Sequence, residues 1–336
     1  MRGRTVFTLL LLLSAISLFA GVYIGSVSLS PSDVTSSIVY GIERSLPGFS
    51  VPHAKPRFFI IVWELRLPRV LMAYLVGLSL ASAGVASQAL FKNPMADPYL
   101  LGISGGAGVG AAVGFEYFPS HVSLLAFAFS LLAVYTVYSI SKVNGRIPVD
   151  TLLLSGVAFG FMAGAVTSYF VSIGKNSHLT YMWLMGSFSA SGWGDVAELS
   201  LVLALGLPFF LWKWKELNLL LFGEESVTLG LNVQRFRKEV IFFVTLLTSV
   251  PVASAGIIGF VGLISPHIAR LLVGPNHRRL TPAAALVGGS LMVAADLVAR
   301  TVARPTEIPV GIVTAMLGGP FFLYLLRKHK RGELRR

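Results

Sequence analysis

Runs of about 20 mostly apolar residues recur along this chain, from Val6–Ile24 through Gly311–Leu326, and nothing else in it restricts the fold so strongly. In a bilayer every backbone N–H and C=O needs a partner within the protein, so spanning chains are helices or closed barrels. A run of this length is about twice what a barrel strand uses. Charges and Pro/Gly clusters divide the sequence into ten apolar segments, at 5–26, 66–90, 100–115, 121–141, 151–173, 197–212, 239–254, 257–273, 282–302 and 310–327. The expected fold is all-α: a polytopic membrane helix bundle of about ten transmembrane helices, forming one domain over residues 1–336. Its composition agrees, at 54% hydrophobic and only 12% charged. The first run follows Arg2 and Arg4 as a signal peptide's would, but it is long for one and reads as a retained helix.

Charge supplies the orientation. With the N-terminus inside, the inner segments are 1–4, 91–99, 142–150, 213–239, 267–280 and 327–336. They hold 19 of the 27 basic residues, including Arg331, Arg335 and Arg336, but seven of the 15 acidic ones. The whole formal net charge of +12 therefore falls on one side, so both termini are expected in the cytoplasm. This asymmetry accounts for the basic composition without nucleic acid, for which no basic surface stripe is present.

Several chemistries are excluded by inventory. The chain has no cysteine, so disulfides, thiolate nucleophiles and cysteine-held metals are ruled out. Its six histidines, at 53, 121, 178, 267, 277 and 329, form no H-E-x-x-H, and no metal site or catalytic residue is expected. The glycine-rich stretch Gly105–Gly110 lacks the following Lys-Ser/Thr of a phosphate loop, and no G-x-x-x-x-G-K-[ST] occurs anywhere. If ATP drives this protein, a partner binds ATP-Mg and hydrolyses it; no cofactor is expected in this chain.

Small residues recur at spacing four: Gly102, Gly106, Gly110 and Gly114; Gly156, Gly160 and Gly164; Gly311, Ala315 and Gly319. Each set forms one bare helix face, through which membrane helices approach closely. Ionisable groups inside the apolar segments are few. Asp296 and Arg300 lie four apart, so they pair with each other at the outer end of a helix or serve a proton relay.

The segment Leu65-Arg66-Leu67-Pro68-Arg69 leads through a small-residue helix to Asn93-Pro94-Met95-Ala96-Asp97-Pro98-Tyr99-Leu100-Leu101-Gly102-Ile103-Ser104. Three further blocks follow in order: Tyr181 to Gly186, Gly256 to His277, and Ala295-Asp296 to Leu326. Together they closely resemble the permease subunits of type II ABC importers for ferric siderophores, haem and cobalamin. The resemblance implies a homodimer of ten-helix subunits embedded in membrane lipid, two cytoplasmic ATP-binding-cassette ATPase subunits, and an external substrate-binding protein. It also implies a central path lined by the fifth and tenth helices, where the second and third small-residue sets fall. Arg66, Arg69 and Arg300 match the family's docking arginines, although arginines at such ends also anchor helices at headgroup level. The inner loop at 213–239 matches the ATPase-coupling segment, with Gly223, Glu224, Glu225 and Gly230 as contact residues. Gly230 permits a sharp turn between two short helices. The cytoplasmic gate falls on Asn93 and Met95 and on Val149 and Asp150, the latter pair departing from the small hydroxyl residues of the family pattern.

The cargo implied is a metal chelate, a ferric siderophore first, with haem, cobalamin or a molybdate-type oxyanion as alternatives. An ion-coupled secondary transporter using Asp296 is the competing reading. An intramembrane enzyme would need a nucleophile–base pair that the sequence does not display.

Overall fold

The computed structural model describes residues 2–46 and 56–330; Arg331, Arg335 and Arg336, counted above on the inner side, lie outside them. Among the described residues the chain is helical with no strand; a single isolated bridge, Val143 to Arg146, closes a turn. The helices are α1 (Arg2–Tyr23), α2 (Pro31–Ser45), α3 (Leu67–Leu90), α4 (Ile103–Tyr117), α5 (Val122–Ser141), α6 (Val149–Ile173) and α7 (Ser177–Leu184). They continue as α8 (Trp193–Trp212), α9 (Trp214–Leu220), α10 (Val233–Ala255), α11 (Val261–Val273), α12 (His277–Ala299) and α13 (Val310–Lys330). A π-helical segment, Ile60–Arg66, runs directly into α3, and a short 3-10 turn, Gly223–Val227, follows α9.

Each of the ten apolar segments falls on a helix, and among the described residues seven helices have the length and hydropathy of a membrane crossing. The other three segments fall on α4 with 15 residues, α11 with 13, and the 21-residue α13. Two elements escape the hydropathy reading. Helix α2 is amphipathic and starts at Ser30, whose hydroxyl accepts from Asp33 N–H at 3.2 Å. Helix α7, eight residues long, carries the Tyr181–Leu184 block. The start of α10 is also earlier than expected. Asn232 Oδ1 accepts from Arg235 N at 3.0 Å and Arg235 pairs with Glu239 at 3.1 Å, so the charged stretch read as loop is a capped first turn.

Helix α3 is the centre of the bundle: 78% of its spanning window is buried, against 17% for α6. Small residues permit this. A Cβ on Gly77 would collide with the Gly288 carbonyl of α12, and one on Gly84 with the Gly262 carbonyl of α11. The first small-residue set behaves as its spacing predicts from its second member onward. Gly106 and Gly110 meet the Phe129 and Leu125 carbonyls of α5, and Gly114 meets Val122. Gly102 instead precedes α4 at φ +83°, a conformation that favours glycine.

Side chains that find no place inside cover the outside. Leu9 and Ile16 of α1, Leu154 and Phe161 of α6, and Met316 of α13 are all more than half exposed, as lipid contact requires.

Candidate functional site

The chemistry-bearing residues gather at the two ends of the bundle and along a line between them. At one end, the termini of α1, α3 and α12 meet. Arg66 Nη1 donates to the carbonyls of Val22 at 3.2 Å and Tyr23 at 3.3 Å, while Nη2 donates to Val27 O. Arg300 Nη2 donates to Gly21 O. The last carbonyls of α1, which have no partner within their helix, are thus closed by two arginines from other helices.

The acids at this end are engaged as well. Asp296, fully buried, accepts from Arg69 Nη2 at 2.9 Å and Nε at 3.0 Å, and its Oδ2 lies 3.2 Å from Arg300 Nε. Arg69 Nη1 also donates to Glu307 at 2.8 Å. The Asp296–Arg300 pair expected from the sequence is present, but Arg69 holds the same carboxylate from α3. Three arginines read from the sequence as an accessible outer surface are therefore mostly enclosed. Arg66 is 5% exposed and Arg300 3%; the Arg69 side chain keeps 13%, beside the more open Glu307 at 32%. Burying guanidinium groups this deeply requires partners for them, and the α1 carbonyls and Asp296 are those partners.

At the opposite end the coupling candidates form one connected system. Gly223, at φ +68°, begins the turn after α9, and the Lys92 ammonium lies over it where any side chain would stand. Glu224 pairs with Arg237 at 2.8 Å and accepts from Gln234 Nε2 at 3.3 Å. Arg237, itself buried, donates onward to Ile147 O at 3.0 Å, and Ile147 N donates to Gln234 Oε1 at 3.0 Å. Gly230 does take a left-handed turn, at φ +84°, but between the 3-10 turn and the long α10 rather than between two short helices. Glu225 is exposed, and its backbone carbonyl accepts from Thr228.

The gate candidates flank this system on both sides. Asn93 and Met95 follow Lys92, and Asn93 Oδ1 accepts from Met95 N at 2.9 Å. Val149 and Asp150 open α6 two residues after Ile147, Asp150 being exposed. Among the described residues no side-chain bond joins one pair to the other. Next to the first pair, Asp97 Oδ1 accepts from Tyr99 N at 2.9 Å, and burial pushes the Asp97 carboxyl up to about 6.

Between the ends, the second and third small-residue sets each divide in two. Gly156 lies against the Leu100 carbonyl and Gly311 against the Met185 carbonyl, so both are used in packing within the subunit. Beyond Gly160, Gly164 and Gly319 there is open space, and Ala315 is exposed. The expected single bare faces are therefore partly closed: the Pro98–Leu101 turn before α4 covers Gly156, and the chain's return into the bundle at the end of α7 covers Gly311. Gly186 at φ +70° and Gly256 at φ +76° let that return stack tightly, with Ser187 N donating to Ala255 O at 2.8 Å and Gly311 N to Met185 O at 3.1 Å. Nearby Phe260 holds φ +69°, a left-handed conformation unusual for a bulky residue, with its ring close to Gly318. Nothing in hydropathy points to Phe260; only the Gly-Phe-Val-Gly run around it marks the turn.

This arrangement has known counterparts. The model of the FecCD transport family matches residues 9–328. A cobalamin import system permease, BtuC of Halobacterium salinarum, is 46% identical over 84% of this chain and 79% of its own. An iron chelatin transport system permease of Helicobacter pylori is 40% identical over 80% and 82%. A solved structure described as an inward-facing metal-chelate type ABC transporter superposes with a TM-score of 0.82, at 31% identity, covering 97% of this chain and 99% of that one.

Proposed function

This chain belongs to the FecCD transport family of ABC importer permeases, multi-pass proteins of the cytoplasmic membrane, and from that premise we propose a specific division of labour within it. The permease is not itself an enzyme. It crosses the membrane ten times, α4 and α11 being the short crossings, with both termini cytoplasmic. Two copies form the path, lined by the open parts of α6 and α13 at Gly160, Gly164, Ala315 and Gly319. Two ATPase subunits act at the coupling turn, and an external binding protein delivers the cargo.

The observation that carries this reading is the connection of Glu224 through Arg237 and Gln234 to Ile147, with Lys92 placed over Gly223. One turn thereby touches the residues that lead into both gate segments, Lys92 before Asn93 and Ile147 before α6. A partner that shifts the turn on hydrolysing ATP moves both together, which is how two discrete arrangements of a packed element couple distant sites. At the outer end the binding protein meets the exposed Glu307 and the Arg69 it holds; a carboxylate from that protein replaces Glu307 on the Arg69 fork.

The cargo we propose is a compact metal chelate. The motifs are shared by permeases for ferric siderophores, haem and cobalamin, and the 46% identity to a cobalamin permease, against 40% to the iron chelatin one, makes a corrinoid the first to assay. The division of labour is tested with purified protein. Alone it should hydrolyse no ATP, and it should support hydrolysis once its cognate nucleotide-binding subunit is added. Sustained ATP turnover by the isolated chain sinks the proposal.

A further inference from the structure

The inner end also holds cations that pair with no acid among the described residues. Lys92 follows α3 at φ +49°, and Arg270 lies on the last turn of α11. Among the described residues neither takes part in an ion pair. Arg270 Nη2 donates to Gln88 Oε1 at 2.7 Å. A guanidinium only donates, so this contact fixes the Gln88 amide with its oxygen toward Arg270 and its nitrogen away. Gln88 Nε2 is then buried without an acceptor, on a residue 3% exposed. His277, the buried first residue of α12, has Nδ1 2.7 Å from Asn218 Oδ1.

These side chains line one cleft of about 200 Å³, together with the apolar Pro94, Leu221 and Pro275. A buried amide N–H without an acceptor and a partly buried guanidinium without a counter-charge are both unfavourable, and one carboxylate satisfies both. The cleft is smaller than the ~300–1,000 Å³ of small-molecule sites, so it suits a group of side-chain size. Its position separates the sources of such a group. Its lining residues lie at the last turns of α3 and α11, in the loop after α3, after α9 and at the start of α12, with Lys92, Asn93, Pro94, Leu221 and Pro275 exposed. It therefore opens among helix termini at the inner end of the bundle and not along the helix flanks.

We infer that this cleft receives an acidic side chain of the cytoplasmic ATPase partner. The carboxylate takes the Arg270 fork and accepts from Gln88 Nε2, while Lys92 pairs with it at the rim. The inference rests on the importer reading and adds a second contact beside the coupling turn.

Two measurements on the assembled permease–ATPase complex test it. Zero-length carbodiimide coupling should join the Lys92 amine to a carboxylate of the ATPase, and Lys92→Arg should abolish that product. Arg270→Gln should weaken ATPase association roughly 30-fold or more, as loss of one member of a desolvated pair does, and Lys92→Gln a few-fold and mainly at low salt. Lys92 is exposed, so its variants report even if the Arg270 change impairs folding. An unlinked Lys92 together with wild-type association of Lys92→Gln overturns the inference. So does phospholipid that co-purifies with the wild type and is lost in Arg270→Gln, since a headgroup phosphate is then the occupant. If no ATPase associates with the wild type at all, the importer reading itself fails and this inference with it.

Discussion

The two ends of the bundle use the same residue type in opposite ways. At the outer end Arg66, Arg69 and Arg300 close on α1 carbonyls, Asp296 and Glu307, so each has partners inside the subunit. At the inner end Arg237 closes on Glu224 and Ile147, but among the described residues no acid pairs with Arg270 or Lys92. Arginines satisfied inside the subunit hold helices in place and meet a partner through exchange of contacts. An end with unsatisfied cations is built for a partner that brings the missing charge.

The largest effect should come from removing the shared acid at the closed end. Asp296→Ala leaves Arg69 and Arg300 without their common carboxylate, and should lower stability by about 3–5 kcal/mol in denaturant unfolding of the detergent-solubilised protein. Glu224→Gln, at a half-exposed partner of the inner end, should lower it by less than about 1 kcal/mol. Equal losses would erase the distinction between the ends.

Next in size is coupling. Reversing charge at Glu224→Arg, Glu225→Arg should reduce ligand transported per ATP hydrolysed by roughly tenfold, within the usual range of coupling free energies, while binding-protein association stays unchanged. Unchanged stoichiometry would disconnect the turn from the gate segments. The smallest effect belongs to docking. Glu307→Gln should release Arg69 and strengthen binding-protein association a few-fold at low salt, and Arg69→Glu should weaken it, both differences narrowing as salt rises. Weaker association for Glu307→Gln would mean that the acid supports docking and does not compete with it.

How much of this is legible in sequence follows from the range of the interactions. The ten apolar segments and the α4 glycine spacing are local patterns, and each lies on a helix as read. Helix α7 is eight residues of mixed polarity, too short to stand out by hydropathy, and its end closes Gly311's neighbourhood while Gly319's stays open. The outer arginines were legible as a type and a place, from the Leu-Arg-Leu-Pro-Arg motif. Their enclosure was not, because Arg69 meets Asp296 across 227 positions and Arg300 meets Gly21 across 279. The same holds for the inner cleft: Gln88 and Arg270 are 182 apart, and nothing near either one announces the other.

The most direct test of the whole account is ligand uptake into sealed proteoliposomes that contain this permease with its ATPase and binding protein, with ATP supplied on the ATPase side. Uptake should require ATP and both partners, and should be indifferent to a protonophore. Uptake by the permease alone that a protonophore abolishes would contradict it, and would assign Asp296 to ion coupling instead.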